Sequence, residues 1–351
     1  MAMKDNADRS IAEMPLQEAL IEWLKVFKYP TIQRSTYDGY ESNARNYIFP
    51  HMGNTNVKDI TPIMIKRLFN TIMERGLTYS TTQKTRLILN EFFRYLERSN
   101  RIEHNPMKPV PPIKRSAYES AQGKKYKAQT DRITVFTADE IAQMRNVHYE
   151  HKRDNSRVFR QSSVYFLILN TGLRRGEACG ILNRDIDIKN RILHVRRSVK
   201  YYRMRKDAEI VSGMELTAGI PKTKSSIRDV PLNFVALEMI KELREERYFG
   251  YDSPLLCKSD GSFTNPNELG SRFKEFQIAC GINEPKTLHA LRHTFATNLI
   301  NGVEQQDGHI ERLTVKQVAD ILGHTTTEIT ERYYVKRDNS RLKGLTNQFE
   351  L

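Results

Sequence analysis

The stretch His289-Ala290-Leu291-Arg292-His293 sets an imidazole and a guanidinium three residues apart, so on a helix both project from one face. Arg suits an anion clamp, because its planar fork binds two oxygens at once and keeps its charge. A neighbouring His takes or gives a proton near neutral pH. Three further patches share this character. Arg174 follows a Gly in Thr171-Gly172-Leu173-Arg174-Arg175-Gly176-Glu177, where a guanidinium at a helix junction can point into a cleft. Leu322-Gly323-His324 ends a helical segment with a second imidazole, and the phenols of Tyr333 and Tyr334 follow nine residues later. Lys222 and Lys224 lie in the turn Pro221-Lys222-Thr223-Lys224-Ser225-Ser226, where a long amine can reach over a site. Taken alone, the His289–Arg292 pair also fits the surface of an ordinary amphipathic helix. A zinc reading of His289 and His293 fails, because Ala-Leu-Arg stands between them instead of Glu-x-x and an Arg would oppose a divalent cation. No metal or other cofactor is expected.

The chain that must position these groups has 351 residues, enough for two domains, with 39% hydrophobic residues and a net charge of +14. That charge favours a polyanionic partner, nucleic acid first, with an anionic membrane surface as the weaker alternative. No apolar run reaches the roughly 20 residues of a membrane span, and the start of the chain lacks a signal-peptide core. Cys179, Cys257 and Cys280 are scattered and odd in number, which fits a reducing compartment, the cytoplasm.

Apolar residues at helical spacing predict helices over Leu16–Lys28 and Ser35–Tyr47, another after Thr61-Pro62 carrying Ile65, Leu68, Phe69 and Ile72, and one over Ser80–Glu97 with Leu87, Leu89, Phe92, Phe93 and Leu96 inward. Asn105-Pro106 closes this small all-helical domain. Polar, basic sequence follows, with Lys124, Lys125 and Lys127, and reads as a linker that could lie along a phosphate backbone. Thr137 and Glu140 form a capping box that opens the second domain. Val164–Leu169 is a buried helix, Arg191–Arg196 and Arg228–Leu232 are strands, and the pattern from Phe234 onward is mostly helical.

Thr171-Gly-Leu-Arg174-Arg-Gly-Glu177, Pro221-Lys222-Thr, His289-Ala-Leu-Arg292-His293 and Leu322-Gly-His324 with Tyr333 nine residues on, in that order, resemble the tyrosine recombinase (phage integrase) family over about residues 14–336. Thr61-Pro62 and Asn105-Pro106 resemble landmarks of that family's core-binding domain. The resemblance implies exchange of phosphodiesters through a covalent protein–DNA intermediate, without ATP or metal. It makes Tyr333 the nucleophile that forms a 3′-phosphotyrosyl link, with Tyr334 as the neighbouring alternative. Arg174 and Arg292 would hold the non-bridging oxygens, His289 would act as general base and His324 would donate a hydrogen bond to the phosphate. Lys222 would protonate the 5′-oxygen, with Lys224 in competition. Glu177 would fix Arg174 or the helix junction, and His293 would pack or cap.

The fold expected on this resemblance is mainly α with a small antiparallel β-sheet (α+β). A helical SAM-like core-binding domain spans 14–107, a basic linker 108–132, a recombinase catalytic domain 133–336 and a tail 337–351 able to dock on a neighbouring protomer, the whole closing as a C-shaped clamp on duplex DNA. The expected partners are double-stranded DNA recombination sites, further copies of the chain as a dimer or tetramer on DNA, and accessory DNA-bending or excision factors. The expected function is site-specific strand exchange, integrating and excising a mobile or viral element. A Xer-like dimer-resolution recombinase and a type IB topoisomerase-like nicking–closing enzyme are the rival readings. Many such integrases carry an additional N-terminal arm-binding domain; residues 1–15 are too few for one, so either simple core sites are used or the chain is shortened upstream.

Overall fold

The computed structural model describes residues 10–121, 134–153, 157–219, 224–304 and 310–334. They form two compact units: the residues up to 121 together with Arg205–Ile210, and the remainder.

The first unit is helical, with α1 (Leu16–Trp23), α2 (Arg34–Asn43), the short α3 (Phe49–Met52), α4 (Pro62–Glu74), α5 (Tyr79–Arg98) and α6 (Arg115–Ala121). Thr61 caps α4 by accepting from Met64 N at 3.3 Å, and Pro62 takes the first helical position, where its missing N–H costs nothing. The cap of α5 is Thr78, two residues before the expected start at Ser80. Ile88, Leu89, Phe92, Phe93 and Leu96 of α5 meet Leu16, Leu20, Ile65, Phe69 and Ile72 in one core. Leu87, expected inward, is exposed, because Ile88 and Leu89 hold the core-facing positions of that turn. The helix read as Leu16–Lys28 leaves α geometry at Leu24 for a π-helical turn ending at Lys28. The stretch read as linker begins instead with α6, whose buried Tyr118 donates to Leu77 O at 2.7 Å and accepts from Thr82 Oγ1 at 3.1 Å. An aromatic ring with two satisfied contacts overrides the polar composition around it.

The second unit opens on α7 (Ala138–His148), with the Thr137–Glu140 capping box in place. Its core is organised by α8 (Ser163–Thr171), which packs against α10 (Phe234–Glu246) and α12 (Leu288–Asn301). Phe273 and Phe276 of α11 (Pro266–Ala279) complete that core. The short α9 (Arg175–Ala178) leads into β1 (Ile186–Asp187) and β2 (Ile192–Val195). β2 pairs antiparallel with both β1 and β5 (Arg228–Pro231), with Leu193 opposite Val230 and Val195 opposite Arg228. Between β2 and β5 the polar stretch with no expected structure forms a two-stranded ribbon, β3 (Ser198–Lys206) and β4 (Glu209–Gly219). Most of its residues are not buried, so no apolar alternation marks it in the sequence. A short pair, β6 (Val303–Glu304) and β7 (Ile310–Glu311), precedes α13 (Val315–Leu322) and α14 (Thr327–Tyr334). Ala296, Ile300, Val318 and Leu322 join α12 to α13 in a separate small core. Among the described residues no helix is long and apolar enough to cross a membrane, and no group of three His, Cys, Asp or Glu is placed to hold a metal ion.

Candidate active site

α8 and α13 each end on a glycine, and both ends point at the same arginine. α8 stops at Gly172 (φ +64°) and α13 at Gly323 (φ +67°), each in the left-handed conformation that glycine adopts without steric cost. At the second end His324 N donates to Ala319 O at 3.0 Å and Gly323 N to Asp320 O at 3.1 Å, a Schellman closure. Close approach adds a second requirement. A methyl group at Gly172 would lie 2.6 Å from the Phe295 ring, and one at Gly323 would lie 2.6 Å from Ser225 O.

A closed helix end leaves carbonyls without amide partners, and here arginines supply the donors. Arg292 is 1% exposed, which removes it from the surface position open to it in the sequence. It donates from Nη1 to Gly172 O at 2.6 Å and from Nη2 to Leu322 O at 2.7 Å. Arg174 Nη2 reaches Gly323 O at 3.4 Å, and Arg228 Nε donates to Ile321 O at 2.6 Å. Three consecutive carbonyls thus receive three guanidinium groups, and the cations sit where the helix dipole favours positive charge.

His324 leaves this hub with Nε2 3.1 Å from Arg292 Nη2 and Nδ1 2.8 Å from the buried Thr330 Oγ1 of α14. Because Arg can only donate, Nε2 accepts and the ring proton resides on Nδ1, bonded to Thr330. Burial, followed by the charges of Arg292 and Arg174, lowers its pKa to about 3. His289 lies in the first turn of α12, exposed at its surface but lining the cleft with Arg174. Partial loss of hydration in the cleft, then the charges of Arg292 and Arg174, lower its pKa to about 4 and leave it unprotonated at neutral pH. His293 stacks edge-on against it, ring centroids 4.4 Å apart.

Arg174 is fixed by Glu177: the carboxylate accepts from Arg174 Nη1 and from Arg174 N, both at 2.8 Å. Burial alone would raise the Glu177 pKa, but Arg228 and Arg174 outweigh it and hold the carboxyl below its ordinary value. Arg174 and His289 line a cleft of about 660 Å³ whose rim adds Arg175, Lys274 and Lys286. A larger cleft of about 1180 Å³, beside β1 and α10, contains none of the candidate residues.

Four of the six candidates, Arg174, His289, Arg292 and His324, are therefore brought together. Lys222 lies outside the described residues. The Lys224 backbone begins a short 3₁₀ turn, Lys224–Ser226, whose Ser225 carbonyl abuts Gly323. The Tyr333 backbone lies in the last turn of α14; its side chain is outside the described residues. Sequence reasoning missed Arg228. The signal was present: Arg228, Val230 and Leu232 alternate, so Arg228 belongs to the buried face of its strand.

A helical domain followed by a mainly helical domain with a small sheet and a cluster of arginines and histidines defines the class, and comparison with known proteins gives the family. Residues 134–340 match the phage integrase family and residues 16–73 the SAM-like N-terminal domain of phage integrases. The chain belongs to the phage integrase family, the tyrosine recombinases, which are DNA strand-exchange enzymes. It is 26% identical over 335 residues to a XerC-like tyrosine recombinase of Caldanaerobacter subterraneus subsp. tengcongensis, spanning 92% of this chain and 79% of that protein. It is 28% identical over 180 residues to the transposase of transposon Tn916 from Enterococcus faecalis, spanning 48% and 40%. Among solved structures, the Tn1549 transposon integrase in complex with a circular intermediate DNA superposes with a TM-score of 0.72 at 19% identity, over 96% of this chain and 100% of that one. A lambda integrase tetramer bound to a Holliday junction gives 0.61 at 18% identity, over 93% and 80%.

Proposed function

We propose that this recombinase integrates and excises a mobile DNA element through a 3′-phosphotyrosyl intermediate. The observation that carries the reading is the convergence of Arg174, Arg292 and His324 on one hub, with His289 beside Arg174 in a cleft that has a basic rim. A scissile phosphate entering there meets two guanidinium groups that cannot lose their charge, so negative charge building up on the phosphorane is stabilised without a metal. His289, unprotonated at neutral pH, takes the phenol proton as Tyr333 attacks phosphorus. The bond to the 5′-oxygen breaks, and Lys222 returns a proton to that oxygen. To donate to the phosphate, His324 Nε2 must itself bind a proton, which the incoming negative charge favours.

In this reading residues 14–107 are the core-binding domain, 108–132 the linker with α6 folded onto that domain, 133–336 the catalytic domain and 337–351 a tail that docks on a neighbouring protomer. Its partners are duplex recombination sites, copies of itself in a dimer or tetramer on DNA, and accessory bending or excision factors, all within the cytoplasm. The Tn1549 and lambda integrases, solved on DNA, support the mobile-element assignment. The XerC-like relative, which matches over more of the chain than the Tn916 transposase does, favours a second reading as a dimer-resolution recombinase. Supplying purified protein with duplexes carrying element ends or a chromosomal dimer-resolution site separates the two. Joining of element ends supports the first reading and exchange only between dimer-resolution sites the second. Nicking and closing without joining contradicts both.

A further inference from the structure

We propose that Arg228 is a positioning residue for strand cleavage, registering Arg174 against the loop that carries His324. The inference rests on reading Arg174 and His324 as phosphate ligands. Arg228 is buried on the inner face of β5 and is not among the residues that line the cleft of Arg174 and His289. Its donors are spent on three separate segments. Nη1 and Nη2 grip the two oxygens of Glu177 at 3.2 and 3.0 Å, Nε holds Ile321 O at 2.6 Å, and Nη1 also reaches Ser226 O at 3.2 Å.

Each of those segments carries a candidate catalytic group. Glu177, 2% exposed, spends its oxygens on Arg228 and on two donors of Arg174, so Arg228 sets the carboxylate that sets Arg174. Ile321 O is the first of the three carbonyls at the end of α13, and His324 is three residues on. Ser226 ends the turn that begins at Lys224 and follows Lys222. The contact is tight enough to forbid a side chain opposite it: a methyl group at Gly323 would lie 2.9 Å from Arg228 Cδ. A planar fork satisfies a bidentate carboxylate and a carbonyl at once, whereas an ammonium holds only part of the set. Loosening it shifts Arg174 and His324 relative to each other, and a displacement of about 1 Å in such a site costs about 100-fold in rate.

The test uses the full chain with a suicide duplex that traps the covalent adduct, and compares wild type, R228K, R228Q, R174K and R174K/R228Q at a temperature where each is folded. R228Q is expected to bind DNA as wild type does and to cleave about 100-fold more slowly, with R228K in between. Because Arg228 acts in part through Arg174, adding R228Q to R174K is expected to slow cleavage by less than R228Q slows the wild type. Should R228Q not fold, R228K carries the comparison, and a slowed cleavage at unchanged DNA affinity supports the inference. Wild-type cleavage by R228K or R228Q overturns it, as does a full additional loss in the double variant. Absence of any adduct from the wild type overturns the reading of the site and this inference with it.

Discussion

Arg292 is expected to carry both stability and chemistry, and Arg292→Lys separates the two. The substitution keeps the charge and removes the fork. In the native site that fork satisfies Gly172 O and Leu322 O, the terminal carbonyls of two helices, at 2.6 and 2.7 Å. One ammonium on a flexible stem reaches one of these carbonyls well and leaves the other buried without a donor. An unsatisfied buried carbonyl costs about 1–3 kcal/mol. For a domain of this size 1 kcal/mol corresponds to roughly 2–4 °C in melting temperature, so a fall of about 2–12 °C is expected. The chemical effect is separate and larger. Losing an aimed donor to the transition-state oxygen costs about 2.7–4 kcal/mol, or roughly 100- to 1000-fold in the cleavage rate. Thermal melts give the first quantity, and single-turnover adduct formation on a suicide duplex, at a temperature where both proteins are folded, gives the second. Arg292→Ala is a poorer probe, because it opens the core as well. If Arg292→Lys melts with the wild type, the carbonyl clamp is not what holds the two helix ends; if it also cleaves at the wild-type rate, Arg292 does not touch the reacting phosphate.

Two further outcomes follow from the close approach at Gly323 and from the buried carboxylate of Glu242. Gly323→Ala imposes a left-handed conformation on a residue with a Cβ and drives that atom to 2.6 Å from Ser225 O, whereas Gly281, at φ +79°, has open space around it. Gly281→Ala is expected to lose about 1 kcal/mol and Gly323→Ala about 2–3 kcal/mol with a matching loss of cleavage; equal melting temperatures would show that close approach is unimportant. Buried Glu242 on α10 would have its pKa raised by burial, but hydrogen bonds from His148, Arg157 and Ser163 overcome that and lower it to about 2. A depressed carboxylate stabilises the fold at pH above its ordinary value, and that contribution disappears as pH falls from about 4.5 toward 2, about 3 kcal/mol in all. Urea melts should therefore show Glu242→Gln less stable than wild type at pH 7 and converging with it near pH 2; a constant difference would contradict the assignment.

What could be read from the sequence was local or short-ranged. The Thr61-Pro62 start, the Thr137–Glu140 box and the α8 apolar run depend on neighbours within a few residues, and all form as expected. The two glycine-centred motifs were visible as patterns, but their shared purpose was not, because Gly172 and Gly323 meet through Arg292 only after α8, α12 and α13 pack. Arg228 escaped for the same reason: its partners Glu177 and Ile321 are 51 and 93 positions away in the chain. The ribbon β3–β4 was hidden because most of its residues are not buried; Val199 and Leu216 meet the core of the second unit, but isolated positions leave no periodic apolar signal. α6 was hidden because one buried tyrosine outweighs several polar neighbours.

The measurement that reaches the central claim most directly is the identity of the residue joined to DNA. Wild-type protein incubated with a suicide duplex is denatured and digested, and the nucleotide-bearing peptide is sequenced by mass spectrometry beside Tyr333→Phe and Tyr334→Phe. A 3′-phosphate ester on Tyr333, lost in Tyr333→Phe and kept in Tyr334→Phe, is expected. An adduct on Tyr334, or one that persists in Tyr333→Phe, would contradict it.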